Sequence, residues 1–211
     1  FAKIKEGDTV IDLGSGAGND CFIARSATGP TGRVIGIDFT EAMIAKARAN
    51  VDKLGYNNVE FRQGDIEQMP VTANMADVVV SNCVLNLVPN KNNVIKEIYR
   101  VLKPGGHFSI SDVVLVGELP AKLRNVAEMY AGCVSGAIQR DVYMELIHNN
   151  SFKDITLQKE KVITIPDDIL SQYMTAEEIN DFKNSGTGIY SITVFAKKPE
   201  GEACCAPGCC D

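Results

Sequence analysis

Strand-like apolar runs alternate with helical stretches along the first half of this chain. The apolar runs predict strands near residues 8–13, 33–38, 59–63, 76–82 and 107–114, and the stretches between them predict helices near 18–27, 41–54 and 91–102. This alternation is typical of a parallel sheet that helices cover on both faces. Ligands of such sheets bind outside the carboxyl ends of the strands.

The pattern changes after Asp112. The second half predicts helices at 120–132 and 138–149, a strand at 153–163, short helices near 167–173 and 175–184, and a last strand at 189–197. Thr175-Ala176-Glu177-Glu178 resembles a capping box at the start of one of these helices. The whole pattern predicts an α/β fold, a Rossmann-like, seven-stranded, mostly parallel sheet with helices on both faces and a helical cap on the substrate side. We divide the chain into a cofactor-binding core (1–117), a cap with the last two strands (118–198) and a mobile, Cys-rich tail (199–211).

The segment Val10–Asp20 joins the first strand to a glycine turn and then to a helix, as nucleotide-binding proteins do. Glycines allow a tight turn and a close approach of the backbone to a ligand, and the helix amides that follow face the same pocket. The dinucleotide fingerprint G-x-G-x-x-G requires glycine where this chain has Asn19. Asp12, at the end of the strand, would repel a pyrophosphate and attract a cationic amino acid group. The segment therefore favours S-adenosylmethionine (SAM) over NAD.

Polar residues at the ends of three further strands extend this pocket. Asp38 ends the second strand, where a carboxylate can accept hydrogen bonds from both ribose hydroxyls; the alternative is a cap on the helix that begins at Glu41. Asp65 could accept from an adenine amino group, or simply form a turn. Asn82 could bind the amino acid end of the cofactor. The full set predicted to bind the cofactor is Asp12, Gly14, Ser15, Gly16, Gly18, Asp38, Phe39, Gly64, Asp65, Ile66 and Asn82.

Composition and charge limit the kinds of partner that this chain could bind. The chain has 211 residues, 45% of them hydrophobic, and a net charge of −6 without a dense Lys/Arg cluster, which argues against nucleic acid or an anionic membrane as a partner. No apolar run approaches the roughly 18 to 20 residues of a membrane-spanning helix, and no signal peptide is visible, so we expect a cytoplasmic protein. Because the sequence starts at Phe1 and not at Met, we also expect that a natural N-terminal segment precedes it.

Seven cysteines are present, and four of them fall in the last eight residues. In a cytosolic protein this density favours soft-metal or redox chemistry over a disulfide framework. Cys83, at the end of the fourth strand, is more typical of a buried small hydrophobic residue.

The stretch from about residue 8 to 145 resembles the arsenite S-adenosylmethionine methyltransferases, which are class I SAM-dependent methyltransferases. Three segments carry the resemblance: Asp12–Cys21, Ser81–Pro89, and Ser111–Val113 with Glu118–Pro120. Cys21 directly after the glycine loop, the segment Tyr130–Ala137 and the Cys-rich tail make the match more specific.

The resemblance implies methylation of arsenite and methylarsenite for arsenic detoxification, with an external thiol reductant of the glutathione or thioredoxin type. It implies two catalytic, arsenic-binding cysteines: Cys133 aligns with a thiolate ligand of trivalent arsenic, and Cys21 with a cysteine of the redox step or of metalloid transfer. Further arsenic ligands are expected among the tail cysteines, Cys204, Cys205, Cys209 and Cys210. Zinc binding or a redox role are alternatives for the tail.

The chemistry explains these residue types. Trivalent arsenic suits soft thiolate ligands, and its lone pair is the nucleophile, so the enzyme needs chiefly to align two reactants. No general base is required, in agreement with a chain whose only histidines, His107 and His148, have structural explanations. Residues 153–197 lack the second arsenic-binding cysteine of some relatives. Cys21, Cys83, a tail cysteine, an external thiol or a preceding segment could replace it.

Two other functions stay open at this point. The same cofactor core could methylate a small organic acceptor, such as a quinone-like ring, without using Cys133. Alternatively, the chain could bind a metalloid and methylate it very little. The oligomeric state is open as well.

Overall fold

A computed structural model describes residues 2–120, 123 and 134–201 of the chain. Most of the predicted helix at 120–132 and the tail beyond Gly201 therefore lie outside the described residues.

Seven strands form one sheet, as predicted. They are β1 (Thr9–Leu13), β2 (Arg33–Asp38), β3 (Val59–Gln63), β4 (Ala76–Asn82), β5 (Leu102–Val116), β6 (Lys153–Ile163) and β7 (Gly188–Lys197). The order across the sheet is β3-β2-β1-β4-β5-β7-β6, in which β1 to β5 pair in parallel and β7 runs antiparallel to both of its neighbours. The predicted Rossmann-like, mostly parallel sheet is confirmed.

Six helices accompany the sheet in the described residues. They are α1 (Asn19–Thr28), α2 (Glu41–Leu54), α3 (Lys91–Val101), α4 (Arg140–Asn149), α5 (Asp167–Leu170) and α6 (Ala176–Asn184), with a 3₁₀ turn at Leu85–Leu87. The predicted capping box is present at α6, because Thr175 and Glu178 exchange their side-chain and backbone hydrogen bonds. No helix in this part of the chain is long and apolar enough to span a bilayer.

Helices cover both faces of the central strands because these strands are apolar on both sides. Val10 points toward α1 and α2, in a cluster with Ala24 and Ile44, whereas Ile11 belongs to the larger cluster with Ile98 of α3. Such two-sided burial is the rule for parallel sheets. The α4 helix also packs into the larger cluster, through Tyr143 and Ile147. The range 118–198 thus contributes a helix and two strands to the main layered body, and the division into core, cap and tail stays a prediction.

The fifth strand begins earlier than predicted. The structure pairs Leu102 with Ala76 directly after α3, and the next described pair is His107 with Val78. The residues between them, Lys103–Gly106, bulge out of the ladder, and Gly105 takes a left-handed conformation there (φ +78°). The α3 helix ends at Val101, so these four residues lie within the bounds of the strand and not between the two elements.

A third apolar cluster lies apart from the two clusters of the central sheet. It joins Val113, at the carboxyl half of β5, to Leu123, Val134, Leu170 and Ile189. These residues belong to the region where we predict the cap.

Phe152 should be the residue on which the packing of α4 and β6 depends most. Its ring is buried and meets Phe108 and Tyr99 edge to face, with centroid distances of 4.8 and 5.2 Å. We expect Phe152→Ala to lower the free energy of unfolding by about 3–5 kcal/mol, because it removes these contacts and leaves a cavity. Urea denaturation measures the change. Leu54→Ala, at a half-exposed position, is the control and should cost about 1 kcal/mol or less; equal losses in both variants would contradict the assignment.

Candidate active site

The glycine loop begins directly after β1, at the carboxyl edge of the sheet. Gly14, Gly16 and Gly18 all have left-handed φ values, +68°, +52° and +97°, which explains why glycine occupies these positions. The amides of Gly14 and Ser15 both donate to the Ile37 carbonyl, at 2.8 and 3.0 Å. A Cβ on Gly16 would meet nothing within 4 Å, so this part of the loop faces open space.

Asp38 connects the glycine loop to the turn before α2. Its Oδ2 accepts a hydrogen bond from Gly16 N (2.9 Å) and its Oδ1 accepts one from Thr40 N (2.8 Å). The carboxylate thus organises both loops, which differs from a direct cap on Glu41. Each carboxylate oxygen can accept more than one hydrogen bond, so acceptor capacity for a ribose hydroxyl is left.

A cavity of about 560 Å³ opens beside Asp38 and is large enough for a nucleoside. It brings together six of the predicted cofactor residues: Gly14, Asp38, Phe39, Gly64, Asp65 and Ile66. Sequence reasoning did not assign Thr40, Val84, Leu87, Val88 and Pro89, which complete the lining. Phe39 and Leu87 leave 77% and 67% of their surface exposed, which is unusual for large apolar side chains. They are suited to cover the faces of a flat ring.

Asp65 also has a local structural role. Its Oδ1 accepts a hydrogen bond from Glu67 N at 2.8 Å, which forms the turn that was the alternative interpretation. Ile66 is buried and belongs to the larger core cluster while it lines the cavity. The predicted contacts of both residues with adenine stay predictions.

A second, polar cavity of about 300 Å³ adjoins the first at Gly14. Its lining includes Asp12, Ser15, Gly16 and Asn82, as predicted, and also Ala17, Asn19 and Asp20. The Ser15 hydroxyl is buried and has no hydrogen-bond partner among the described residues. An orphaned hydroxyl and nearby carboxylates fit a polar, positively charged group.

Gly18 is not among the residues that line either cavity. A Cβ at this position would lie 2.6 Å from the Phe61 ring and 2.9 Å from the Phe22 ring. Packing and the left-handed conformation therefore explain this glycine without a ligand contact, and its predicted role in cofactor binding stays a prediction.

The carboxyl group of Asp12 is almost completely buried. It is 2% exposed, and its Oδ2 accepts a hydrogen bond from the Cys21 thiol at 3.2 Å. Burial raises the pKa of Asp12 to about 7, and the charges of Asp20 and Asp38 act in the same direction. A cationic ligand would relieve this repulsion.

Cys21 lies fully buried on α1, within the cluster that faces α2. Burial, followed by the nearby Asp12 charge, raises the pKa of this thiol far above its usual range. The thiol therefore holds its proton, which agrees with the buried alternative. A role of Cys21 in redox chemistry or arsenic binding stays a prediction.

The end of β4 contains a strained residue next to a buried acid that sequence reasoning did not assign. Cys83 adopts φ +56°, uncommon for a residue other than glycine, and packs against the third cluster. Asp112 is 1% exposed, and burial raises its pKa to about 6. The Val113 amide, which donates to Asp112 Oδ1 at 2.9 Å, favours the charged form of Asp112, and so does the positive charge of Lys91. Asp112 Oδ2 and the Tyr143 hydroxyl have no hydrogen-bond partner among the described residues. The motif Ser111-Asp112-Val113 was the available signal.

The remaining thiols of the prediction, Cys133, Cys204, Cys205, Cys209 and Cys210, lie outside the described residues. Within the described ranges, no group of three or more His, Cys, Asp or Glu side chains could hold a metal ion. His107 Nε2 is hydrogen-bonded to the Ala2 carbonyl at 2.7 Å and its ring lies against Phe195, a structural role as expected.

Replacing Asp12 by its uncharged isostere should stabilise the fold in a pH-dependent way. The native pKa of Asp12 is raised above 3.8, so the native state loses stability as pH rises from about 4 to about 7, when this buried group ionises. We expect Asp12→Asn to stabilise the chain by about 3 kcal/mol more at pH 8 than at pH 5, since the penalty of ionising Asp12 grows by about 1.4 kcal/mol per pH unit up to its native pKa of about 7. Urea denaturation at both pH values measures this difference. Asp181→Asn, at an exposed position, should show none; a gain that does not depend on pH would contradict the buried-acid assignment.

Comparison with known proteins agrees with this geometry. A family described as "Methyltransferase domain" matches residues 4–165. The arsenite methyltransferase of Halobacterium salinarum is 41% identical over 199 residues, which cover 94% of this chain and 49% of that protein, and the human arsenite methyltransferase is 35% identical over 193 residues (85% and 52%). A crystal structure of an arsenic(III) S-adenosylmethionine methyltransferase from Chlamydomonas reinhardtii superposes with a TM-score of 0.77 at 34% identity, covering 95% of this chain and 66% of that one. The chain spans about half the length of these curated relatives. It belongs to the methyltransferase-domain family and has the class I methyltransferase fold.

Proposed function

We propose that this chain binds S-adenosylmethionine in the two adjoining cavities and transfers a methyl group to thiolate-bound trivalent arsenic. The cavities support the cofactor, because an apolar, nucleoside-sized space joins a polar, acidic one at Gly14. The acceptor rests on one observation, the 41% identity with an arsenite methyltransferase over 94% of the chain.

Different residues of the chain are suited to bind the two ends of the cofactor. Asp38 is suited to accept from the ribose hydroxyls, and Asp65 with Ile66 to bind adenine in the larger cavity. Asp12 and Asn82 are suited to hold the ammonium and carboxylate groups in the polar cavity. Bound there, the cofactor supplies an electrophilic methyl group on a sulfonium sulfur. An ionised Asp12 favours a cationic ligand, so its protonation below pH 7 opposes binding.

The acceptor site of this proposal is Cys133. Support comes from the residue that follows it, because Val134 is buried in the third cluster, against which Cys83 also packs. Cys83 stands between two cavity-lining residues, Asn82 and Val84. We call the two adjoining cavities together the cofactor groove. The segment that begins at Val134 therefore packs close to the wall of this groove.

No proton needs to leave the acceptor in this chemistry, so the absence of an assigned general base is not a difficulty. Arsenic becomes formally pentavalent on methylation, and we propose that two external thiols, of the glutathione or thioredoxin type, reduce it again as they form a disulfide. Arsenite and methylarsenite are the proposed substrates. Arsenic capture by the tail cysteines and Cys21, and a cytoplasmic location, stay predictions.

Asp38→Ala should weaken SAM binding by roughly 10- to 100-fold, since it removes a ribose acceptor and releases the Gly16 and Thr40 amides. Isothermal titration calorimetry with SAM measures the affinity. Asp52→Ala, on the exposed side of α2, is the matched control and should bind like the unaltered chain. An unchanged affinity in Asp38→Ala would remove Asp38 from the cofactor site.

The decisive experiment supplies arsenite, SAM and glutathione and detects methylarsenicals by mass spectrometry. We expect product from the unaltered chain, and we expect Cys133→Ser to reduce turnover to background while SAM affinity changes less than about twofold, because the thiolate holds the acceptor and not the cofactor. Turnover retained in Cys133→Ser would remove this residue from the site. Arsenite binding without product would favour sequestration, and methylation of a quinone-like acceptor alone would favour the organic substrate.

A further inference from the structure

The segment that follows Cys133 is attached to β5 at its far end. The Leu115 amide donates to the Ile138 carbonyl at 3.0 Å, and the Gln139 side chain donates to the Gly117 carbonyl at 3.0 Å. Between these bonds and Val134, a turn is closed by the Ala137 amide, which donates to the Val134 carbonyl at 3.0 Å. The segment 134–139 is therefore a short, well-attached connection.

Gly136 brings this turn into direct contact with the backbone that follows β4. A Cβ on Gly136 would lie 1.8 Å from the Asn86 carbonyl oxygen and 2.8 Å from its carbonyl carbon. Gly136 does not have a left-handed φ, in contrast to Gly14 and Gly16. Space, and not backbone conformation, thus requires glycine at this position.

Asn86 has little freedom to move away. It is buried, and its Nδ2 donates to the Val113 carbonyl of β5 at 2.7 Å. It also belongs to the 3₁₀ turn Leu85–Leu87, whose Leu87 amide donates to the Val84 carbonyl at 2.9 Å. Val84 and Leu87 line the larger cavity. The backbone that Gly136 touches is therefore part of the wall of the cofactor groove.

We propose that Gly136 is a positioning residue whose contact with Asn86 sets the distance between segment 134–139, which follows the proposed arsenic ligand Cys133 in the sequence, and the methyl donor. This inference rests on the proposed function. Methyl transfer between two bound reactants depends steeply on their separation, and a displacement of about 1 Å can cost about 100-fold in rate. A Cβ at position 136 would lie 1.8 Å from the Asn86 carbonyl oxygen, and real Cβ contacts below 3.0 Å essentially never occur. An alanine side chain therefore has to push the turn away from Asn86 by more than about 1 Å.

The test compares Gly136→Ala with the unaltered chain in three measurements. We expect kcat for arsenite methylation to fall by about 100-fold, while SAM affinity by calorimetry and arsenite binding by mass spectrometry change less than about threefold. Gly188→Ala is the matched control, because its Cβ would meet only ordinary contacts, the nearest at 3.5 Å from Tyr190 Cε2. It should methylate arsenite like the unaltered chain.

A second variant keeps the test valid should Gly136→Ala not fold. Asn86→Ala keeps the backbone atoms that Gly136 touches but removes the bond that holds them to β5 at Val113. The contact then no longer fixes the separation, so we expect about a tenfold loss in kcat with SAM affinity preserved. Full turnover in either variant, or a parallel loss of SAM affinity and turnover, would overturn the positioning role while the proposed function stands. No product from the unaltered chain would instead reject the proposed function and this inference together.

Discussion

The candidate site depends on a single carboxylate, Asp38, that accepts hydrogen bonds from two different loops. One bond holds the glycine loop after β1 and the other holds the turn before α2, at 2.9 and 2.8 Å. Both loops lie at the carboxyl edge because β1 and β2 are parallel neighbours. Asp38 lines the larger cavity, whose shape therefore depends on these two hydrogen bonds. A ribose hydroxyl bound to Asp38 would use the same two carboxylate oxygens.

The buried carboxyl groups place a cost on the unliganded fold. Asp12 and Asp112 are nearly inaccessible to water, and burial raises the pKa of each, to about 7 and about 6. The Val113 amide and the Lys91 charge favour the charged form of Asp112, whereas Asp12 faces two further carboxylates, Asp20 and Asp38. The environment of Asp12 is thus better suited to bind a cation than to stabilise the fold. Functional sites commonly sacrifice stability in this way.

The 3₁₀ turn after β4 connects the two halves of the proposed reaction. Val84 lies so close to the glycine loop that a Cβ on Gly14 would be 2.3 Å from its Cγ2. Two residues later, the Asn86 backbone touches Gly136 in the segment that follows Cys133. The proposed cofactor site and the proposed acceptor segment therefore pack against the same short turn, on which their separation depends.

The amino-acid sequence by itself determined the strand and helix order, the seven-stranded sheet and most residues of the groove, because hydrophobic periodicity, left-handed glycines and polar strand ends are local signals. It also pointed to Asp38, which the structure places in the lining of the larger cavity. Only the tertiary structure decided that Cys21 is buried against Asp12, that Gly18 packs against Phe61, and that Asp112 lies near Lys91 and Tyr143 in the core. It also revealed the contact between Gly136 and Asn86. These features depend on the separation of atoms that are distant in sequence, and burial and close approach exist only once the chain has folded.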